Sequence, residues 1–472
     1  MTRRCTLITT VACLLLSGCA ALQQAVADGD RPPGWPRVAS QPRPVPVRLH
    51  ALPGGLDDTL VFNSNNPEIV TEAGVTLSTA PSPAGLGEPF QGRFAVFSHH
   101  IARDTRPGAR LLRLGLLAHN ASPRPVTLWL KQGASWLSQP EAPFVRLAPL
   151  LPDPAGSLWA GPGDRVAADM LHGRSPLAPT SWELPPRATR LLLDLPLPTD
   201  VAIPPPINGR TTMLRLEASG PVHLSEVAAF APADGQGGFG PVPQAAFEAV
   251  LAGGRRAGPS EAPATDVLPD GPVPAGFRYG RVGGVTVGDA WRGDLSPLVA
   301  ALPAGARLGV PIASVHLSRL GTARSQSAPM RVRYPGAAPA GHGNYGVTYA
   351  LELALRNPDQ APRAYALRLS HPVRVEGGGE VRTAVYLAPP EPAVTFRGAV
   401  RVDEVAGASP SSRFTHVVLR RGQDLPPFEV LAVPGGATRT LRVSLVYPAD
   451  ATPPQLLTVE RLAEPQRSND SP

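Results

Sequence analysis

The chain has 472 residues, 43% of them hydrophobic, so it carries enough apolar surface to fold and more length than one core accommodates, since single cores stop growing near ~250–300 residues. Its formal charge of +7 is spread over scattered arginines, Lys131 being the only lysine, and no run of base-stacking aromatics accompanies them. That argues against nucleic-acid binding and leaves room for weak attraction to an acidic surface polymer.

Residues 1–18 read as an export signal: Met1-Thr2-Arg3-Arg4, an apolar run, and Leu16-Ser17-Gly18 immediately before Cys19. A cysteine at the cut resembles the lipobox of bacterial lipoproteins. The resemblance implies cleavage before Cys19 and acylation of its sulfur, with palmitate as the diagnostic label. Cys5 and Cys13 fall inside the signal, so the mature chain is expected to carry one lipidated cysteine and no disulfide. Arg3-Arg4 also matches part of a twin-arginine signal, which leaves the export route open. The expected address is the bacterial cell envelope, with the membrane as partner through the lipid and no choice made between inner and outer membrane. No later apolar run approaches the ~20 residues of a membrane-spanning helix.

Residues 19–47, with Arg31-Pro32-Pro33-Gly34-Trp35-Pro36 and Pro42-Arg43-Pro44-Val45-Pro46, read as an extended tether. Folded structure is expected from Val47. Proline (59) and glycine (47) are abundant, and proline fits neither helix interiors nor central strands, so many short strands with proline-bearing turns are expected. Leu112, Leu114, Leu116 and Ala118 alternate with their neighbours, stop at Asn120-Ala121-Ser122-Pro123, and alternation resumes at Val126, Leu128 and Leu130. This reads as a hairpin with one buried face. Pro185-Pro186-Arg187-Ala188-Thr189-Arg190 leads into Leu191, Leu193 and Leu195, and a further hairpin is expected from Thr212, Leu214 and Leu216 through a turn at Ser219-Gly220 to Val222 and Leu224. Residues 243–254, alanine-rich with a glycine stop, are the one helical candidate.

The second half repeats this order. Tyr349, Leu351, Leu353 and Leu355 stop at Asn357-Pro358, Tyr365, Leu367 and Leu369 follow, and Val433-Pro434-Gly435-Gly436-Ala437-Thr438-Arg439 leads into Leu441, Val443 and Leu445. The expected fold is mainly β: two β-sandwich domains of immunoglobulin-like type at residues 48–232 and 276–462, joined by a linker at 233–275 with the short helix, and a flexible tail at 463–472.

Leu52-Pro53-Gly54-Gly55-Leu56-Asp57, Phe62-Asn63-Ser64-Asn65-Asn66-Pro67-Glu68, Gln132-Gly133-Ala134-Ser135, His342-Gly343-Asn344-Tyr345-Gly346 and Tyr447-Pro448-Ala449-Asp450-Ala451-Thr452 stand in this order. Together they resemble an uncharacterised family of exported proteins known mainly from cyanobacteria, over roughly residues 48–460. The resemblance implies no activity and supplies no catalytic residues.

Candidate ligand-binding residues are His342, Asn344 and Tyr345 in a glycine-flanked loop, Asn63 and Asn65 in an asparagine-rich turn, and the pair His99 and His100. Adjacent residues of a strand face opposite ways, so the two imidazoles do not make a metal site, and no cofactor or metal is expected. Gly-x-Ser-x-Gly, His-Glu-x-x-His, phosphate-loop and Cys-x-x-Cys patterns are missing. Asp57, Asp58, Glu68, Glu88 and Asp104 are the carboxylates that a glycosidase-like alternative would draw on. The expected function is non-catalytic: a lipid-anchored envelope protein binding a surface polysaccharide, peptidoglycan or a surface-layer protein, with a secreted hydrolase of envelope polysaccharide as the alternative.

Overall fold

The computed structural model describes residues 40–103, 110–199, 207–316, 318–406 and 411–463. The expected signal, Cys19, nearly all of the tether, Asp104 and the tail beyond residue 463 lie outside them. Among the described residues the chain is mainly β, with three helices: α1 (Pro162–Leu171), α2 (Gln244–Ala252) and α3 (Ser296–Ala300). The strands form three mixed sheets. The largest is organised around Phe90–Arg103 and Ile207–Phe230, with Val126–Leu137 on one side and Leu60–Ser64, Gly283–Val287 and Met330–Arg333 on the other. A second sheet carries Val381–Ala388, Gln41–Leu49, Arg307–Ile312, Gln455–Arg461 and Arg363–His371 in that order. The third carries Ala290–Asp294, Thr348–Arg356, Thr438–Val446, Val394–Ala406 and Ser411–Arg420. Leu308, Val310 and Leu457 of the second sheet share one core with Leu351, Val443 and Val417 of the third. Each of these aliphatic side chains, fully buried, contributes ~1.5–3 kcal/mol.

The two halves of the chain interleave. Gln41–Leu49 pairs with Val381–Ala388 and Arg307–Ile312, while Gly283–Val287 pairs with Leu60–Ser64, and Leu150–Pro152 pairs with Ser411–Arg420. Strand pairing therefore crosses the expected linker at 233–275 in both directions. Order begins before Val47, and the prolines explain how. Pro42, Pro44 and Pro46 occupy alternate positions, so their missing N–H groups fall on one edge while the other edge pairs with Val381–Ala388.

Both expected hairpins of the first half are corrected. Leu112–His119 and Val126–Leu137 do not pair with each other; each pairs with a different part of Ile207–Phe230. That strand runs through Ser219-Gly220 without a hairpin turn, with a register shift between Ala218 and Val222. Before the bulge it pairs with Phe90–Arg103 and Val126–Leu137, and after it with Leu112–His119 and Gly74–Ser78. Extra residues bend and twist a strand, which lets one continuous strand serve two neighbourhoods.

An asparagine builds the connection where a hairpin was expected, and it does so twice. Asn120 accepts from Ser122 N at 2.9 Å, and its amide donates to the carbonyls of Arg124 (2.7 Å), Leu184 (3.0 Å) and Pro185 (3.1 Å), while its own N–H donates to Ala188 O at 2.9 Å. Asn357 accepts from Asp359 N at 3.1 Å, donates to Ala361 O and Val433 O at 2.8 Å each, and its N–H meets Ala437 O at 2.9 Å. The task needs an acceptor and two donors on one short side chain, which only Asn supplies here; Asp would set a carboxylate against carbonyls. The Asn-containing turns and the Pro-x-x-Ala-Thr-Arg segments of the sequence are thus the two ends of the same corner.

Helix α2 sits where the alanine-rich segment placed it. Its Phe247 is buried against Leu117, Val227 and Val242, and a Cβ on Gly115 would lie 2.7 Å from the Phe247 ring, so only glycine admits the helix at that distance. No helix among the described residues is long and apolar enough to cross a membrane.

Candidate functional site

The structure brings most of the sequence-derived candidates to one seam. Asn63 and Asn65 lie at and just beyond the end of Leu60–Ser64, which pairs with Gly283–Val287, and the loop at 341–347 enters Thr348–Arg356 beside them. Asn65 Nδ2 and His342 Nε2 are 3.4 Å apart. Asn63, His342, Asn344 and Tyr345 line one cavity of about 30 Å³, room for a water molecule or two and too small for a sugar ring. Their individual tasks are structural. Asn344, at φ +51°, donates to Gln326 O and to the Tyr349 hydroxyl and accepts from Ala328 N. Tyr345 donates to Ala451 O at 3.1 Å and stacks on Phe97 and Tyr447.

His99 and His100 face opposite sides of Phe90–Arg103. His99 Nδ1 meets Thr211 Oγ1 at 2.9 Å, and its Nε2 lies 3.8 Å from Glu68 Oε1. Arg281 grips Glu68 and Glu261 together. Burial lowers the His99 pKa to about 4, with Glu68 opposing and His100 and Arg281 adding to the fall. Burial and the Arg281 charge lower His342 further, to about 3. Both rings are neutral at pH 7.

On the other face His100 meets Ser64 and Glu226, a set that resembles a nucleophile, base and acid until its wiring is traced. Ser64 Oγ (3.0 Å) and Glu226 Oε2 (2.9 Å) both approach Nε2, while Nδ1 faces the Pro67 carbonyl at 2.8 Å. The Pro67 carbonyl can only accept, so Nδ1 donates to it, and Nε2 is shared between the Ser64 hydroxyl and the Glu226 carboxylate. Glu226 also takes hydrogen bonds from Thr76 (2.9 Å) and Ser98 (2.6 Å). Burial alone would raise its pKa, but His100 and the hydroxyls outweigh it and the net shift is down. All five side chains are buried, so this is a satisfied internal network that ties Leu60–Ser64, Gly74–Ser78, Phe90–Arg103 and Ile207–Phe230 together. Among the described residues, no three His, Cys, Asp or Glu side chains are placed to hold a metal ion. Three of the five carboxylates named for a hydrolase are engaged: Asp57 accepts from Asp289 N, Glu68 pairs with Arg281, and Glu88 pairs with Arg331.

A different place has the dimensions of a binding site. Beside α1 lies an open cleft of about 580 Å³ lined by Trp136, Trp159, Arg165, Asp169 and Arg174. Every residue of α1 is buried except Arg165. Its guanidinium carbon sits 3.4 Å from the Trp136 ring centre and 4.4 Å from that of Trp159. Asp169 accepts from Trp136 Nε1 at 2.7 Å, which fixes one indole, and forms an ion pair with Arg174, whose Nε lies 2.9 Å from the carboxylate. At the end of α1, Gln132 donates to the Met170 carbonyl at 2.8 Å, a second and shorter bond beside that from Gly173 N at 3.3 Å.

At its start α1 is docked on the third sheet. Asp164 accepts from Ala160 N at 2.7 Å and meets His416 Nε2 at 2.8 Å, and a Cβ on Gly163 would lie 2.8 Å from Asp450 Oδ1. Burial and the neighbouring Asp164 charge raise the Asp450 pKa to about 7, against the pull of Arg397.

Both asparagine corners, α1 and the strands that close the second sheet fall inside one stretch, residues 47–461, that matches a family described as protein of unknown function (DUF3370). The chain belongs to that family. The family match ends at Arg461, the last residue of Gln455–Arg461, and begins within Gln41–Leu49, so its limits coincide with the strands flanking Arg307–Ile312. Comparison with curated proteins gives no match.

None of the cleft residues was among the sequence-derived candidates. Gln132-Gly133-Ala134-Ser135 stands directly before Trp136, and Gly161-Pro162-Gly163-Asp164 directly before Arg165. The second of these carried a usable signal, a proline at the first helical position followed by an acid in the first turn.

Proposed function

We propose that the chain is a lipid-anchored component of the bacterial cell envelope, held through Cys19, that binds an envelope polysaccharide without doing chemistry on it. Its body is read as two β-sandwich lobes of immunoglobulin-like type, a reading favoured by the repeated asparagine corner. The observation that carries the binding role is the open cleft with two indoles, because flat aromatic surface beside fixed polar groups is what recognition of a sugar requires. The His100 network favours binding over hydrolysis, since its Ser64, His100 and Glu226 side chains are all buried.

Two experiments test this. Growth with radiolabelled palmitate should label the chain, and Cys19→Ala should abolish labelling and release the protein from membranes. The purified chain should be retained on the polysaccharide fraction of cell envelopes, and Trp159→Ala should reduce retention. An unlabelled product removes the anchor; a chain that passes through the polysaccharide fraction removes the binding role.

A further inference from the structure

The cleft beside α1 has a charge as well as a shape. Arg165 and Arg174 supply two positive charges and Asp169 one negative charge. Glu141 also lies nearby, but its carboxylate is engaged by Leu137 N and by Arg210 at 3.4 Å. Arg174 is ion-paired with Asp169 and donates to the carbonyls of Ala155 and Gly156. Arg165 is different. A guanidinium carbon 3.4 Å from the centre of an indole lies over its face, and the centre of the second indole is 4.4 Å from the same carbon. Only Nη1 is bonded, to the Glu141 carbonyl. Among the described residues no hydrogen bond reaches Nε or Nη2, and N–H groups of a stacked guanidinium point outward in its plane. The result is a cation packed against two rings, with donors left in fork geometry, one turn of α1 before Asp169 on the wall of the same cleft.

We infer that this cleft is the subsite for an acidic sugar of a polysaccharide chain, with the sugar's carboxylate on the outward edge of Arg165 and its ring against the indoles. The inference rests on the polysaccharide-binding role proposed above and names the ligand's chemistry. A planar fork matches the two oxygens of a carboxylate, and preorganisation by the two rings cuts the entropy lost on binding. The hydroxyls of the cleft's Ser157 and Ser175, both exposed, suit the remaining sugar oxygens.

Calorimetry of the full chain against oligogalacturonate, dextran and dextran sulfate tests it. Oligogalacturonate is expected to bind, neutral dextran to bind far more weakly, and raising NaCl to weaken the first and not the second. Arg165→Gln should lower oligogalacturonate affinity roughly ten- to a hundredfold, the loss of a charge-assisted pair. Arg165→Lys, which keeps the charge and loses the fork, should recover only part of it. Arg331→Gln, at a remote surface pair with Glu88, should change nothing and controls for general charge. Unchanged oligogalacturonate binding by a folded Arg165→Gln overturns the inference. Dextran binding as tight as oligogalacturonate, and lost in Trp159→Ala, overturns it too while leaving the polysaccharide role standing. Tighter binding of dextran sulfate than of oligogalacturonate replaces carboxylate by sulfate and overturns the assignment. If none of the three polymers binds, and the chain is not retained on envelope polysaccharide either, both readings fall together.

Discussion

The two asparagine corners and what lies between their ends make an instructive pair. Asn120 and Asn357 occupy equivalent places, each closing a strand, an arch and a distant Ala carbonyl with the same bonds. The excursions they bracket have nothing in common. In the second half the chain between Arg363–His371 and Glu429–Val433 is mostly strand and, among the described residues, holds no helix. In the first half the chain between Val126–Leu137 and Ser181–Leu184 holds α1, both arginines of the cleft and Trp159. The repeat is scaffold, and the candidate site sits in the one excursion that departs from it. The first half also extends its post-corner strand by three residues relative to the second, 12 against 9, and the extension ends in Trp136-Leu137.

The largest effects should come from the corners themselves. Asn120→Ala and Asn357→Ala each leave one buried carbonyl, of Leu184 or Val433, and several half-buried backbone groups without a partner, so each is expected to destabilise by about 3–5 kcal/mol, read as a shift of the urea midpoint. Asn120 serves one more carbonyl, so its loss should cost at least as much. If Asn357→Ala is benign while Asn120→Ala unfolds the chain, the corners are not equivalent and the repeat is a likeness of sequence alone.

Corners and excursions also differed in how far they could be read from the sequence. Period-two alternation identified the strands on either side of Asn120 and Asn357, and the alanine-rich segment identified α2, because those signals are local. The partner of each strand was not local. Leu112–His119 followed by a short polar turn and Val126–Leu137 has the wording of a hairpin, yet the Asn120 amide reaches carbonyls of Leu184 and Pro185, some 64 residues onward, and turns the pair into an arch. Ser219-Gly220 has the wording of a turn, and a bulge uses the same residues to keep one strand going. Helix α1 was hidden for the opposite reason. Its polar Asp164 and Asp169 are buried with the rest, the opposite of what polar residues on a short helix suggest, and Gly161-Pro162-Gly163 resembles punctuation. His99, His342, Asn63 and Asn65 were legible as a cluster through their polar character amid apolar strands, but the size of the cavity they line was not.

Next in size are two opposed pH effects, one at each seam. Asp450, beneath the start of α1, holds its proton up to about pH 7, whereas in the unfolded chain it loses it near its ordinary value of 3.8. Its contribution to stability therefore falls as pH rises from about 4 to about 7, by on the order of 3–4 kcal/mol. His416 runs the same way: burial alone would lower its pKa, but Asp164 at 2.8 Å outweighs that and the net shift is up, so its contribution is full below pH 6.5 and fades as pH rises through the folded value. His99 has the opposite sign. Folded, it protonates at about 4; unfolded, at 6.5, so stability is lost as pH falls through that window, by on the order of 3 kcal/mol. Urea midpoints at pH 4, 6 and 8 should show that Asp450→Asn removes a loss of stability on raising the pH from 4 to 7, and that His99→Gln removes a gain over the same range. Identical slopes in all three proteins would mean that neither seam titrates on unfolding.

A smaller loss should follow removal of the bond that joins scaffold to excursion. Gln132→Ala leaves the Met170 carbonyl at the end of α1 without its side-chain donor, and about 1–2 kcal/mol is expected. The variant should also loosen the Arg165–Trp136 stack, visible as a red shift of the indole fluorescence. A red shift without a stability change would place the role of Gln132 in the cleft alone.

The smallest differences lie in the trim of the two corners, and they discriminate between corners by mechanism. In the first, Ser122 Oγ donates to Asn120 Oδ1 at 2.7 Å, a neutral bond that salt does not screen. In the second, Asp359 occupies the matching position and pairs with Arg363 at 2.6 Å, with the Asp359 side chain 44% exposed. Exposed pairs contribute about 0.2–1 kcal/mol and weaken as the Debye length shrinks. Ser122→Ala is therefore expected to cost about 1 kcal/mol at any ionic strength, from the lost hydrogen bond to a buried acceptor. Asp359→Ala should cost less, and nothing at 1 M NaCl. A salt-independent loss in Asp359→Ala would mean that the backbone N–H donated to Asn357, rather than the ion pair, depends on the aspartate, and would make the two corners alike in trim as well as in frame.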